Sequence, residues 1–408
     1  MTRQYLRLSL TREFNYVAQS PVKSHGVGFE AHIAEMSSNA VGAFLSTTQL
    51  PYFIDPVLYK FSQPYFDGFA GKRWVEPLSK AYGIDGKVSG TSEGFTASEL
   101  SKFKGLDTAV GAMLDYQRSR LANLSPKVEA LVELLGEGAS SIQPPEFLVA
   151  PYLIISESAT LGANGQLLSA AIKAKHKGER LYAVAAVDVD YIEGDALRQS
   201  VVSQCAKPGV DGVLVWVTDF NENLEDSVQL NRLASFFAEL KEALPGKEVI
   251  NMFSGYYSTI LAGRGFLSAT VQGVGISEYK EPGATGGGGV LRYYVPVAHQ
   301  HVGVDLAEDL RQANSKLFGC TCPTCSGVGP VNGLSVEGLA MHFLRTRVAE
   351  FNEAAKFTAA GIGAKLRSDA KLADDITGGV AATAGSFARR LKTWSDAIES
   401  DSRAGRYT

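Results

Sequence analysis

A chain of 408 residues that is 45% hydrophobic and 20% charged can bury a sizeable core, which excludes a disordered or fibrous protein. Its net charge of −4 at neutral pH supplies no overall attraction for phosphate backbones, so contact with nucleic acid requires a local basic patch. No apolar run of about 18 residues marks a membrane span, and four cysteines, three of them clustered, exclude a disulfide scaffold and point to a metal.

The opening MTRQYLRLSLTREF lacks the apolar core and small-residue cleavage site of a secretory signal, which leads to the expectation of a cytoplasmic protein without membrane contact. From about residue 39, short apolar runs rich in β-branched residues alternate with segments of helical period, the pattern of repeated β-α units. The runs are Val41–Ser46, Tyr52–Asp55, Phe147–Ile155, Leu181–Asp188, Val213–Asp219, Val249–Ser254, Ala269–Ile276 and Leu291–Val297. Eight runs, several apolar throughout, suit parallel strands covered on both faces and predict a (β/α)₈ TIM barrel, with an open doubly wound sheet as the rival. Helices are expected over 106–124, 165–178 and 223–244. The segment 62–105 reads as an insertion and Gly286–Gly289 as a mobile loop. Beyond about residue 318 the strand pattern stops, so the expected organisation is a barrel over 1–317, a zinc-binding subdomain over 318–360 and a helical tail over 361–408.

In FGCTCPTCSG, Cys320, Cys322 and Cys325 are too close together for independent core thiols and well spaced to wrap one cation. A tetrahedral Zn²⁺ wants a fourth ligand, and His342 on the following helix supplies an imidazole. Four protein ligands leave no position for water, so the zinc is expected to be structural. C-x-C-x-x-C followed by a helix reading MHFLRTRVAEFN resembles the zinc subdomain of tRNA-guanine transglycosylases, and GGGGVLRYYVPVAHQH is similar to relatives that insert 7-deazaguanines into DNA. The resemblance spans roughly residues 40–355 in order and spacing. It implies a 7-deazaguanine base as ligand and a macromolecular acceptor, which is DNA, tRNA or protein, with both homo- and hetero-oligomers left open.

In α/β barrels chemistry sits at the carboxyl ends of strands. Asp55, closing LPYFID, matches the position where the family's aspartate meets the bound base. A carboxylate accepts hydrogen bonds from the ring N–H and exocyclic amine of a guanine edge and can move a proton; the alternative role is a helix cap. Asp188 and Asp190 close one run and Asp219 another, so three carboxylates are candidates for one mouth, with Asp195 as a helix cap. Glu157 stands where the family carries a second base-recognising acid. Gly273 and Gly275 allow close approach of a ligand to backbone amides, or mark a bulge.

The family attacks the sugar carbon with an aspartate after the seventh strand. Residues 264–277 hold no carboxylate; the nearest are Glu278 and Glu281, so Glu278 is the candidate nucleophile, or the exchange reaction is absent. If the substrate is nucleic acid, Arg345, Arg347, Lys356, Lys365, Arg367 and Lys371 are the candidate phosphate-binding patch, diluted by neighbouring acids; the alternative is an ordinary solvated helix surface. Two functions follow: a transglycosylase-like transferase of a 7-deazaguanine, or a repurposed barrel resembling accessory proteins of type IV CBASS antiphage defence, which act on a deazaguanine–protein conjugate. A catalytically silent base-binding subunit is the third.

Overall fold

The computed structural model describes residues 3–88, 93–134, 140–274, 280–283, 291–326 and 330–403. Eight parallel strands form one sheet: β1 (Arg3–Leu8), β2 (Gly26–Glu30), β3 (Tyr52–Asp55), β4 (Leu148–Val149), β5 (Leu181–Asp188), β6 (Gly212–Thr218), β7 (Glu248–Asn251) and β8 (Ala269–Gly273). The hydrogen-bonded order β3-β2-β1-β8-β7-β6-β5-β4 follows the chain around a ring. Its two ends meet where the Glu146 N–H donates to the Tyr52 carbonyl at 2.7 Å. The result is a nearly closed TIM-like barrel. Strands such as LYAVAAVD and GVLVWVT are buried along their length because helices cover one face and the barrel interior the other.

Two expected strands are corrected. Val41–Ser46 lies inside the helix Ser38–Thr48, since a short apolar run carries no period that separates a buried helix from a strand. The run Leu291–Val297 contributes β9 (Arg292–Val295), which pairs antiparallel with β10 (Gln300–Gly303) outside the barrel. The missing barrel strands are β1 and β2. Glycine weakens a strand signal, yet β2 needs its glycine: a Cβ on Gly28 would stand 2.5 Å from the ring of Phe53 on β3. Consequently the run expected as seventh, Ala269–Ile276, is the eighth strand.

Helices follow the strands where expected, with Leu106–Ser119, Ser158–Ala174 and Ser227–Ala243 corresponding to the three segments read from the sequence. The helix that completes the ring is Val336–Ala354, packed between Tyr256–Gly263 after β7 and Thr11–Gln19 after β1. Gly263 permits this contact, because a Cβ there would lie 2.6 Å from the carbonyl of Ala354. Between β8 and this helix the chain builds β9, β10, the helix Val304–Ala313 and the cysteine segment, which share a second core of Tyr293, Val295, Val302, Leu310, Phe318 and Leu339 among others. Helices Ala359–Asp374 and Ala381–Arg403 pack on each other, and the second packs on Ser227–Ala243. Among the described residues no helix is long and apolar enough to cross a membrane.

The amino ends of the strands are sealed by an ion network. Arg3 pairs with Glu146 at 2.8 Å and with Glu248, and Arg180 pairs with Glu248 at 2.7 Å and Glu146 at 3.5 Å. The Tyr5 and Tyr182 hydroxyls donate to the same two carboxylates.

Candidate functional site

At the opposite end, the last residues of β1 to β3 place three ionisable side chains side by side: Arg7, Glu30 and Asp55, each under a tenth exposed. Parallel register fixes this, since Glu30 pairs with Asp55 along β2–β3 and Arg7 with Gly28 along β1–β2. The turn after β3 adds Lys60, which is buried, and the chain after β8 returns Lys280 over the opening. Glu30 accepts from Arg7 and Lys280 through Oε1 and from Lys60 through Oε2. His32 Nδ1 lies 3.0 Å from Glu30 Oε2 and 3.4 Å from Lys60 Nζ. Burial, then the charges of Lys60, Lys280 and Arg7, hold His32 well below its ordinary range and so neutral.

Asp55 accepts from the Tyr152 hydroxyl at 3.1 Å to both oxygens and from the Val57 N–H at 3.0 Å. Tyr152 is itself fixed in place. Gln117 clamps both backbone groups of Val149, and Asn164 clamps those of Leu153, by hydrogen bonds of 2.7–2.9 Å. These amides replace the ladder bonds lost around Pro151, which has no N–H to donate.

Aromatic rings wall the site. The Lys280 ammonium lies 5.7 Å from the Tyr59 ring centre, 5.6 Å from Trp216 and 5.5 Å from Phe253, and Arg7 lies 4.2 Å over Phe253. The indole N–H of Trp216 donates to the Lys280 carbonyl at 3.3 Å. Burial, then Arg7 and Lys60, push the Lys280 amine well down; burial and then Arg7 push Lys60 down to about 7, with Asp55 opposing both shifts. Beneath these groups a cavity of about 10 Å³ touches Arg7, Glu30, Asp55 and Met252, room for one water.

The other sequence-read acids stand further out. Asp219 is exposed with φ 58°, a left-handed conformation that aspartate tolerates. Its carboxyl is raised by burial, then by Asp188 and Glu281, which places these three on one rim. Glu157 is exposed at the start of Ser158–Ala174, and both it and Asp188 raise Tyr191 after burial has done so. Asp190 is exposed on a short helix and donates its N–H to Asp188. Asp195 opens Asp195–Cys205 and pairs with Arg198 at 2.7 Å. Gly273 ends β8 opposite Arg7; Gly275, Glu278 and the loop Gly286–Gly289 lie outside the described residues. Sequence reading missed Arg7, Glu30, Lys60, Lys280 and Tyr152. The strand-end criterion that selected Asp55 selects Glu30 too once HGVGFE is read as a strand.

Cys320, Cys322, Cys325 and His342 come together, their ligand atoms all within 4.8 Å of one another. His342 Nδ1 is 3.5 Å from Cys322 Sγ and 3.3 Å from Cys325 Sγ, while its Nε2–H donates to the Tyr294 carbonyl at 2.7 Å. That bond fixes tautomer and ring orientation, the usual outer support of a metal-binding imidazole. Tyr293 stacks on the ring at 4.2 Å. Three thiols and an imidazole so placed are set to hold one metal ion.

The expected phosphate patch is partly dissolved. Arg347 is buried, donating to Gln272, Thr259, Tyr294 and Glu350, and so belongs to the core. Lys365 and Arg367 pair with Asp369 and Glu399. Comparison with protein-family models gives no match to this chain, and neither does a search of curated proteins.

Proposed function

We propose that this chain is a transglycosylase-like transferase that handles a 7-deazaguanine base at the barrel mouth, with a structural zinc at Cys320, Cys322, Cys325 and His342. The observation that carries the reading is Asp55: a carboxylate buried at the end of a barrel strand and oriented by Tyr152, whose ring stacks with Tyr59, the kind of surface that suits a planar base. Asp55 accepts from the ring N–H and exocyclic amine of the base. A tetrahedral zinc with sulfur and nitrogen ligands at about 2.3 and 2.1 Å sets those atoms roughly 3.6 Å apart, close to the observed 3.3–3.5 Å. With four protein ligands the zinc organises the fold and leaves the chemistry to the mouth. Reduced thiols suit a cytoplasmic location.

The acceptor we favour is a protein, as in the reading that compares the chain with antiphage accessory proteins. No acid follows β7 before Arg264, the sequence being MFSGYYSTILAG, and Arg347 is unavailable to phosphates. An aspartyl-glycosyl intermediate is therefore not expected. Titration calorimetry with 7-cyano-, 7-amido- and 7-aminomethyl-7-deazaguanine tests the site. Asp55→Asn should weaken binding by roughly 1–3 kcal/mol, because an amide presents a donor to the base where a charged acceptor stood. Unchanged affinity for all three removes Asp55 from the site.

A further inference from the structure

The mouth gathers more basic side chains than it has acidic partners for them. Arg7, Lys60 and Lys280 face Glu30 and Asp55, and His32 is neutral. Among the described residues Glu30 is the only carboxylate that pairs with any of the three cations, while Asp55 spends its oxygens on Tyr152 and Val57. An arginine and two lysines carry about eleven N–H donors, far more than two carboxylate oxygens and one imidazole nitrogen accept. Burial and Arg7 hold the Lys60 and Lys280 amines low, and an anion entering among these three groups favours their charged forms, so the arrangement suits an anion. The acids Asp188, Asp219 and Glu281 stand within electrostatic reach of one another. They repel a phosphate backbone yet suit the N–H edge of a guanine-like ring.

We propose that the mouth takes a planar heterocycle bearing a carboxylate, and that Arg7, Lys60 and Lys280 hold that carboxylate. Resting on the base-binding reading above, this names the ligand as a 7-deazaguanine carrying a carboxylate at position 7. Lys280 swings from Glu30 to the entering anion and yields its place over Tyr59, Trp216 and Phe253 to the ring. The Arg7 guanidinium offers its fork to the carboxylate, and the ring's donor edge turns to Asp55.

The test is calorimetric titration of the full chain with 7-carboxy-7-deazaguanine, its neutral 7-carboxamide, 7-deazaguanosine 5′-monophosphate and pyrrole-3-carboxylate, which lacks the guanine edge. The acid should bind at least about tenfold more tightly than the amide, as expected of a charge-assisted contact. In Lys280→Gln the two should come within roughly twofold of each other. Equal affinity of acid and amide in the wild type, with both binding, overturns the carboxylate site and leaves the base reading standing. Pyrrole-3-carboxylate binding as tightly as the acid supports the anion site and overturns the base reading. Failure of both carboxylates to bind, or a preference for the monophosphate over the acid, overturns the proposal. The wild-type ratio of acid to amide decides the question even where Lys280→Gln fails to fold.

Discussion

The two ends of the barrel use the same side-chain types in different proportion. At the amino ends, two arginines meet two carboxylates with two tyrosines completing the bonds, and His25 adds a contact to Glu146 at 3.6 Å. At the carboxyl ends, three cations converge on one shared carboxylate while a second carboxylate is bonded elsewhere. A balanced network holds strands together; an unbalanced one keeps bonding capacity for something else. The contrast follows the division in such barrels between a stabilising bottom and a chemical top.

The largest effect expected concerns the ring that both ends share. Its last helix is tied to the cysteine segment by His342, so Cys322→Ala should lose the metal and unfold the second core, zinc contributing about 10–16 kcal/mol in small modules. Elemental analysis should find one zinc per wild-type chain, with the thermal transition lost or split in the variant. A folded wild type without metal ends the claim. At the bottom, Arg3→Met should cost about 1.5–3 kcal/mol in denaturant unfolding, since it removes one of the two arginines that pair with Glu146 and Glu248, carboxylates that are mostly but not wholly buried. At the mouth, Lys280→Met should change stability by less than about 1 kcal/mol, or raise it, because it removes a buried amine that shares its one carboxylate with Arg7 and Lys60. A loss there equal to that at the bottom would erase the distinction between the two ends.

The smallest effect is a pH slope. Burial and then Arg7 push the Lys60 amine from its ordinary 10.5 down to about 7, so between these values the unfolded chain binds a proton that the folded chain does not. Lys60 thus favours the fold above that window and loses this contribution as pH falls through it, at no more than about 1.4 kcal/mol per pH unit. Unfolding of wild type and Lys60→Met from pH 7 to 9 should show the wild type gaining on the variant as pH rises. Parallel curves would mean that Lys60 stays charged throughout.

Much of this architecture is legible in the residues. Six of the eight strands announce themselves as apolar runs, and the spacing of the cysteines with a helical histidine defines the metal-binding cluster before any fold is known. Strands β1 and β2 are hidden because their chemistry interrupts the pattern: Arg7 breaks an apolar run, and glycines thin the other. Lys60 and Lys280 carry no signal at all, since only closure of the barrel brings residues 220 apart to one carboxylate. Arg347 misled in the opposite sense. A basic residue among others on a helix reads as surface, and burial against Gln272 and Glu350 shows only in three dimensions.

The pairing of β1 with β8 has a bearing on how the chain is made. Tyr5 finds its partner Val271 only after some 260 further residues have been synthesised, which at about 5–20 residues per second takes roughly ten to fifty seconds. Throughout that time β1 has one free edge, and the helix that shields it arrives later still, after the cysteine segment. Ring closure by β8 thus comes before the helix that carries His342 and completes the cysteine–histidine cluster. Until β8 emerges, the nascent chain carries an open sheet edge, the condition that chaperones exist to cover.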